Sequence, residues 1–254
     1  ACASQARVLD TFDSTQGWKV ITSDQVTGTL RSDGKATCLD YDFHGVSGYV
    51  GLQKAMALDY PGNYAFAFKL RGEGPKNDFQ FKLVDASGDN VWWATKPKFA
   101  LPGAWTPMQF KKRHISKAWG PSEEKTLAKS AKLEFTLASG EGGKPPICLD
   151  DLTFAELPPP DDSPLTTMRS RIDGGWMFDL GKVREIGGLI VREAGNSGEV
   201  SLSSDGQHWR EVLVTSDGSE KYVALPEEET RYIRVLHGAA RGDADAAPEV
   251  EVQP

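Results

Sequence analysis

Aromatic, basic and amide side chains recur in the segment between positions 69 and 119. Flat aromatic rings can stack on the C–H faces of a sugar, and charged or amide groups can donate hydrogen bonds to its hydroxyls. This combination of residue types predicts a shallow polar surface that binds a saccharide. The candidate residues are Lys69, Arg71, Gln80, Lys82, Trp92, Trp93, Arg113, His114 and Trp119.

Two alternatives limit this interpretation. The basic residues are equally explained by an ordinary solvated face. Trp92 and Trp93 are consecutive, and side chains alternate between the two faces of a strand, so only one of them can point outward. The sequence leaves open which one does. Trp18 and Trp105 are predicted to lie in the core.

The sequence lacks the common catalytic motifs. The four histidines do not have the spacing of a zinc-binding helix, and neither Cys-x-x-Cys nor Gly-x-Ser-x-Gly occurs. Ser32 and Lys35 have the spacing of a serine–lysine pair, but they flank an Asp-Gly turn, which does not suit a buried, activated lysine. With 36 Asp and Glu residues, the sequence alone does not decide whether two of them form the acid/base pair of a glycosidase. We expect no catalysis by these residues themselves.

The candidate residues fall on segments with the period of a β-strand. Apolar and polar residues alternate over 39–43, 64–71 and 79–84, which predicts strands with one buried face. Asp-Gly, Pro-Gly-Asn and Ser-Gly-Asp sequences between these segments are turn signals. A two-sheet antiparallel jelly roll is therefore expected. One helix is predicted, over 122–132, where Ser122 is a suitable N-cap.

A run of prolines divides the chain. Residues 158–164 include four prolines, which suit neither a helix nor the interior of a sheet. Residues 1–157 carry a net charge of +1, whereas residues 158–254 carry −8. We predict a first domain over 1–157, a Pro-rich linker over 158–164 and a second stranded domain over 165–238. Residues 239–254 are expected to be a linker to a downstream region.

Composition argues against several classes of function. The net charge of −7 disfavours nucleic acid as a partner, and the sequence contains no apolar run long enough to span a membrane. Cys38 and Cys148 can form a disulfide if their strands are neighbours, but two buried thiols are the favoured interpretation. Cys2 leaves two interpretations open, a lipid attachment site and a stray thiol.

A family resemblance of the first domain rests on residues 79–93 (FQFKLVDASGDNVWW), 112–121 and 147–152 (ICLDDL). These segments resemble the N-terminal module of bacterial discoidin-domain-containing proteins. That module is similar to the galactose-binding-like jelly rolls, including the family 11 carbohydrate-binding modules. The resemblance covers residues 7–157. It implies a secreted or periplasmic carbohydrate-active protein with a catalytic region downstream.

The second domain resembles a discoidin (coagulation factor 5/8 type C) domain in residues 178–181, 203–209 and 230–235. The opening of that family, with its Asp-Gly and Thr-x-Trp stretch, is missing from this chain. The ligand-binding loops of the family come mostly from that region. A spacer role is therefore expected for this domain, rather than sugar binding.

The resemblance also implies a metal. Galactose-binding-like jelly rolls often hold a structural calcium between their first and last strands. Asp13 would be the ligand from the first strand, and Asp150 or Asp151 the ligand from the last. The apolar positions of the last strand change phase after Leu149, which predicts a bulge at Asp150 and Asp151. Ordinary solvated carboxylates at a sheet edge are the alternative.

The sequence thus predicts an all-β protein of two β-sandwich domains of the galactose-binding-like jelly-roll type. Its predicted function is to bind or position a polysaccharide or oligosaccharide, without catalysis, for a glycoside hydrolase domain of the same extracytoplasmic chain. Two alternatives stay open. The sandwiches could serve only as spacers that pack against a catalytic domain, or the chain could be a small stand-alone enzyme.

Overall fold

The chain folds almost entirely into antiparallel β-structure. A computed structural model describes residues 6–161, 163–192, 197–212, 214–217, 220–237 and 247–253. The chain divides into two compact units, Ala1–Pro160 and Asp161–Pro254. Within the described ranges, no helix is long and apolar enough to cross a membrane. The all-β fold class predicted from the sequence is confirmed.

The first unit contains two six-stranded sheets. Strands are numbered along the chain. The first sheet has the order β3-β4-β12-β6-β9, and β1 also pairs with β12. Its strands are β1 (Arg7–Asp10), β3 (Thr27–Ser32), β4 (Thr37–Asp42), β6 (Tyr64–Gly72), β9 (Thr106–Lys111) and β12 (Ile147–Glu156).

The second sheet has six strands in the order β10-β8-β7-β11-β5-β2. Successive strands of the chain often belong to different sheets, as the pair β6 and β7 does. The strands of the second sheet are β2 (Trp18–Thr22), β5 (Tyr49–Asp59), β7 (Asn77–Val84), β8 (Val91–Phe99), β10 (Ser116–Trp119) and β11 (Lys129–Ala138).

The inner faces of the two sheets form one aromatic core. Every second residue of β6 and β7 points into it, as the alternation predicted. Trp18 is buried there, as expected, and so is Trp92. Trp105 is not in the core: its side chain is 37% exposed, so the prediction that it is a core tryptophan is wrong. The alternating inward residues include Phe66, Phe68, Leu70, Phe79, Phe81 and Leu83.

A disulfide joins two neighbouring strands of the first sheet. Cys38 on β4 lies directly opposite Cys148 on β12, with their Cα atoms 4.0 Å apart. The favoured interpretation of two buried thiols is therefore wrong, and the alternative that the sequence left open is correct. The bond links positions separated by 110 residues of chain.

The helix predicted over 122–132 does not form. Residues 123–128 are irregular, and β11 begins at Lys129. The indole Nε1 of Trp92 donates a hydrogen bond to the Lys125 carbonyl at 2.9 Å, and Leu127 is buried. These contacts hold the segment in an extended path and outweigh its local helix signals. The helical element that is present in the first unit is a single 3₁₀ turn, Lys112–His114, between β9 and β10.

The second unit contains one seven-stranded sheet with its own apolar cluster. Its order is β13-β14-β18-β15-β16, with β17 on β18 and β19 on β14. Residues 249–253, assigned from the sequence to a linker, are the strand β19, so that part of the linker prediction is corrected. The strands are β13 (Met168–Ile172), β14 (Gly175–Arg192), β15 (Ser197–Ser203), β16 (Arg210–Glu211), β17 (Thr215–Asp217), β18 (Glu220–His237) and β19 (Glu249–Gln253).

Candidate functional site

The sandwich separates residues that the sequence analysis placed on one surface. Lys69 and Arg71 lie on β6 of the first sheet, whereas Gln80 and Lys82 lie on β7 of the second sheet. Each pair points away from the core. Because the two sheets pack through their inner faces, the outer faces point in opposite directions. The interpretation of one continuous polar surface is therefore wrong.

On the outer face of the first sheet, the cations have carboxylate partners. The Lys69 ammonium lies 2.5 Å from Asp151, and the Arg71 guanidinium lies 3.3 Å from Asp33. Arg71 also covers the ring of Trp105, with its guanidinium carbon 4.8 Å from the ring centroid. The charges of these residues are already satisfied within the protein.

The outer face of the second sheet carries a polar row that crosses the strands. Trp93, Lys82, Glu134 and Gln53 lie opposite one another on β8, β7, β11 and β5. The Gln53 amide donates a hydrogen bond to the Glu134 carboxylate at 2.6 Å. Residues far apart in the sequence therefore meet in one line, as cross-strand neighbours do in an antiparallel sheet.

Three aromatic side chains lie beside the charged and amide members of this row: Trp93, which belongs to the row itself, Trp119 and Tyr49. The ring of Trp119 stands perpendicular to that of Trp93, with centroids 5.5 Å apart. The Lys82 ammonium lies 5.5 Å from the Trp119 ring centroid and 5.8 Å from that of Tyr49. Trp119 is 48% exposed and Tyr49 is 41% exposed, so both rings are open to solvent. They are the flat apolar surfaces that sugar binding requires.

Lys82 is the unusual member of the row. Although its side chain points away from the core, it is only 8% exposed. Burial lowers the pKa of its ammonium, and the negative charge of Glu134 offsets part of this effect. The two neighbouring rings favour the charged form through cation–π attraction. Within the described part of the chain, the ammonium has no hydrogen-bond acceptor and no ion pair.

Other predicted site residues lie elsewhere. Trp92 is 4% exposed and belongs to the core, so its assignment to the binding surface is corrected, and Trp93 is the outward-facing residue of the pair. His114 accepts a hydrogen bond from the Lys111 backbone N–H at 3.0 Å within the 3₁₀ turn. Arg113 is exposed in the same turn. This turn connects the two sheets and is not part of the polar row.

The sequence analysis missed three members of this surface. Tyr49 and Gln53 point outward from β5, and Glu134 points outward from β11. The signal was present in both strands, because Val50, Leu52, Leu133, Phe135 and Leu137 alternate with them and are buried. The same period-two reasoning used for β6 and β7 would have found them.

The comparisons with known proteins identify the architecture. No protein family matches the sequence, and no curated protein matches it. Among solved structures, the chain is similar to the family 11 carbohydrate-binding module of the cellulosomal cellulase Lic26A-Cel5E of Clostridium thermocellum. The TM-score is 0.50 at 15% identity, covering 61% of this chain and 96% of the module. The similarity is one of fold.

A second structure of a family 11 module from the same organism gives the same result. It is described as a complex with a β-1,3-1,4-mixed-linked tetrasaccharide, and it matches with a TM-score of 0.50 at 14% identity. The match covers 61% of this chain and 97% of that module. The covered share is close to that of the first unit, which spans 160 of the 254 residues. The predicted β-sandwich jelly-roll class is confirmed.

The carboxylates predicted to bind calcium lie near one another on this jelly roll. The predicted bulge is present, because the pairing of β12 with β6 shifts register between Asp150 and Thr153. Partial burial, together with the charges of Asp151 and Asp13, raises the pKa of Asp150. Carboxylate oxygens suit calcium. However, the Lys69 ammonium already lies 2.5 Å from Asp151 and 3.7 Å from Asp150.

Within the described ranges, a different trio has its potential metal-ligand atoms within 4.8 Å of one another. It consists of Asp33, Cys38 and Cys148. Both sulfurs belong to the disulfide and carry no thiolate, so this cluster does not offer a metal site.

Proposed function

We propose that the first unit is a non-catalytic carbohydrate-binding module, and that its binding surface is the outer face of the second sheet. One observation carries this proposal. Three aromatic rings, two of them well exposed, surround a row of charged and amide side chains. The rings are suited to stack on pyranose C–H faces, and the polar row offers both donors and acceptors for hydroxyl groups.

The outer face of the first sheet is less suited to this role. Its one exposed tryptophan, Trp105, has a guanidinium over its ring, and its cations are engaged by carboxylates. A sugar binding there would have to break these contacts. On the second sheet, Trp119 and Tyr49 also lie near a cation, Lys82, but that cation has no carboxylate partner within the described ranges, so no ion pair has to break.

The proposal is tested with tryptophan variants of the whole chain. Trp119→Ala and Trp93→Ala should each weaken retention in polysaccharide affinity gels by about 1–3 kcal/mol, the usual cost of a lost aromatic contact. Trp105→Ala is the matched control, because it also removes an exposed tryptophan but from the opposite face. Retention equal to that of the parent in all three variants, with unchanged melting temperatures, would exclude this surface.

The wider setting is also a proposal. We place the chain in an extracytoplasmic polysaccharide-degrading enzyme, in which the module positions substrate for a glycoside hydrolase domain. The Cys38–Cys148 disulfide supports this location, because disulfides form and persist mainly in oxidising compartments. The second unit, in this proposal, acts as a spacer. Zymography of the full-length secreted protein, beside the 254-residue chain, would locate the hydrolytic activity.

Calcium binding between β12 and the loop after β1 is part of the same proposal. Asp13 lies beyond the end of β1 and not on the first strand as expected. Asp13 with Asp150 or Asp151 would supply the carboxylate oxygens. The Lys69 ammonium neutralises the same carboxylates, so a calcium ion would have to displace it. Competition between these two cations predicts weak binding and a modest stabilising effect.

A further inference from the structure

The outer faces of the two sheets differ in whether their basic side chains form ion pairs with carboxylates. On the first sheet, Arg31, Lys69 and Arg71 each form an ion pair with a carboxylate. On the second sheet, Lys82 lies opposite Glu134 yet forms no ion pair with any residue in the described ranges. Positive charge on the second sheet is therefore available to a ligand.

The carboxylates of the second face are occupied by other donors. Glu134 accepts the Gln53 amide at 2.6 Å, and Asp78 accepts the Lys98 backbone N–H at 2.8 Å. Neither forms an ion pair with Lys82 within the described ranges. The Lys82 ammonium lies 5.8 Å from the Tyr49 ring centroid and 5.5 Å from that of Trp119.

Within the part of the chain that the structure describes, Lys82 lacks the ion pair or hydrogen bonds that a largely buried lysine normally forms. A lysine that leaves water normally forms an ion pair or several hydrogen bonds, because desolvation penalises its charge. The Lys82 side chain is only 8% exposed, and its ammonium lies near the rings of Trp119 and Tyr49 and the charge of Glu134. The Lys82 ammonium is therefore the group on this face that an acceptor from outside the chain would satisfy.

We propose that this surface recognises an acidic saccharide, in which a carboxylate or sulfate group of a pyranose pairs with Lys82 while its ring stacks on Trp119. This inference rests on the proposed carbohydrate-binding function and specifies its ligand class. An anionic group would supply the acceptor that the ammonium lacks, and charge-assisted hydrogen bonds are the strongest of their kind.

The test compares polymers that differ only in charge. The full chain is run in affinity gels containing polygalacturonate or its fully methyl-esterified form, which has the same backbone with its carboxylates masked. A second comparison uses a sulfated galactan and neutral agarose. Together, the two comparisons show whether the protein recognises a carboxylate or a sulfate group. Neutral mixed-linkage β-glucan tests for a ligand without charge. We expect binding to one of the charged polymers to be at least about tenfold tighter than to its neutral counterpart.

Variants assign the effect to Lys82. Lys82→Gln should reduce binding of the charged polymer about tenfold, to the level of the neutral one, whereas Lys82→Arg should retain most of it. Lys19→Gln is the matched control, because it removes a lysine of the same face that is more exposed. Should Lys82→Gln fail to fold, the comparison of charged and esterified polymers on the parent protein still decides the question.

The outcomes separate this inference from the proposed function. Two outcomes would overturn the acidic ligand but keep the carbohydrate-binding surface. One is equal binding of charged and neutral polymers, and the other is binding of neutral glucan alone; in both, the Trp119→Ala variant loses that binding. Equal losses in Lys19→Gln and Lys82→Gln would indicate non-specific attraction and also overturn it. Binding to none of these polymers would overturn both.

Discussion

The disulfide between Cys38 and Cys148 gives the sharpest prediction on stability. It closes a loop of 110 residues that contains all of β5 to β11, and therefore strands of both sheets. Restricting a chain of this length in the unfolded state corresponds to roughly 5 kcal/mol in the chain-entropy description. Measured effects are commonly smaller, so we expect reduction to destabilise the first unit by about 3–5 kcal/mol.

Equilibrium unfolding in urea, followed by tryptophan fluorescence, measures this effect. Five of the seven tryptophans precede the proline run, so the signal reports mainly on the first unit. A loss of 3–5 kcal/mol corresponds to a fall in melting temperature of about 10–15 °C for a unit of this size. The Cys2→Ser variant should be the parent protein, because it removes the third thiol and prevents exchange with it.

The double variant Cys38→Ala/Cys148→Ala is the control. Reductant should lower the unfolding midpoint of the parent and leave that of the double variant unchanged. If the parent's midpoint did not move after mass spectrometry had verified two free thiols, loop closure would not be a source of stability. An equal shift in the double variant would show that the reductant acts elsewhere.

Three further predictions follow from other contacts. Excess calcium should raise the melting temperature of the chain and chelation should lower it, and Asp13→Ala should remove the difference; a melt insensitive to both would exclude the metal. A fragment 161–254 should melt more cooperatively than 165–238 in calorimetry, because only the longer one contains β19 and the residues before 165; equal melts would contradict this. The hydrogen bonds from Arg231 lower the pKa of Asp179. The stability that they contribute is therefore present above the ordinary aspartate pKa and is lost as the pH falls through the lowered pKa. The Arg231→Gln variant should show a weaker dependence of melting temperature on acid pH.

The sequence was sufficient to predict the fold class, because the relevant signals are local. A strand with one buried face shows an alternation of period two wherever it occurs, and β4, β6 and β7 show it without interruption. The bulge at Asp150 and Asp151 was predictable for the same reason, since a one-residue insertion reverses the phase of the alternation.

The composition of each outer face could not be predicted in this way. Alternation shows that Lys69 and Lys82 both point away from the core, but it does not show which sheet each strand joins. β6 and β7 follow one another in the chain, so a common surface was the simplest expectation, and their membership of opposite sheets overturned it. The sequence also left open which of Trp92 and Trp93 points outward, and it placed Trp105 in the core although its ring lies against Arg71 on the outer face of the first sheet.

The candidate site shows why long-range pairing decides function here. Tyr49, Trp119 and Glu134 come from three different strands. Antiparallel pairing brings all three close to the ammonium of Lys82 on a fourth strand. A lysine on an ordinary strand would reach solvent and be unremarkable in the sequence. Two rings from distant strands flank Lys82, whose side chain is 8% exposed, and neither gives its ammonium a hydrogen-bond acceptor. A cation in this environment is expensive for the fold, and a ligand that supplies the missing acceptor is the simplest reason for its place there.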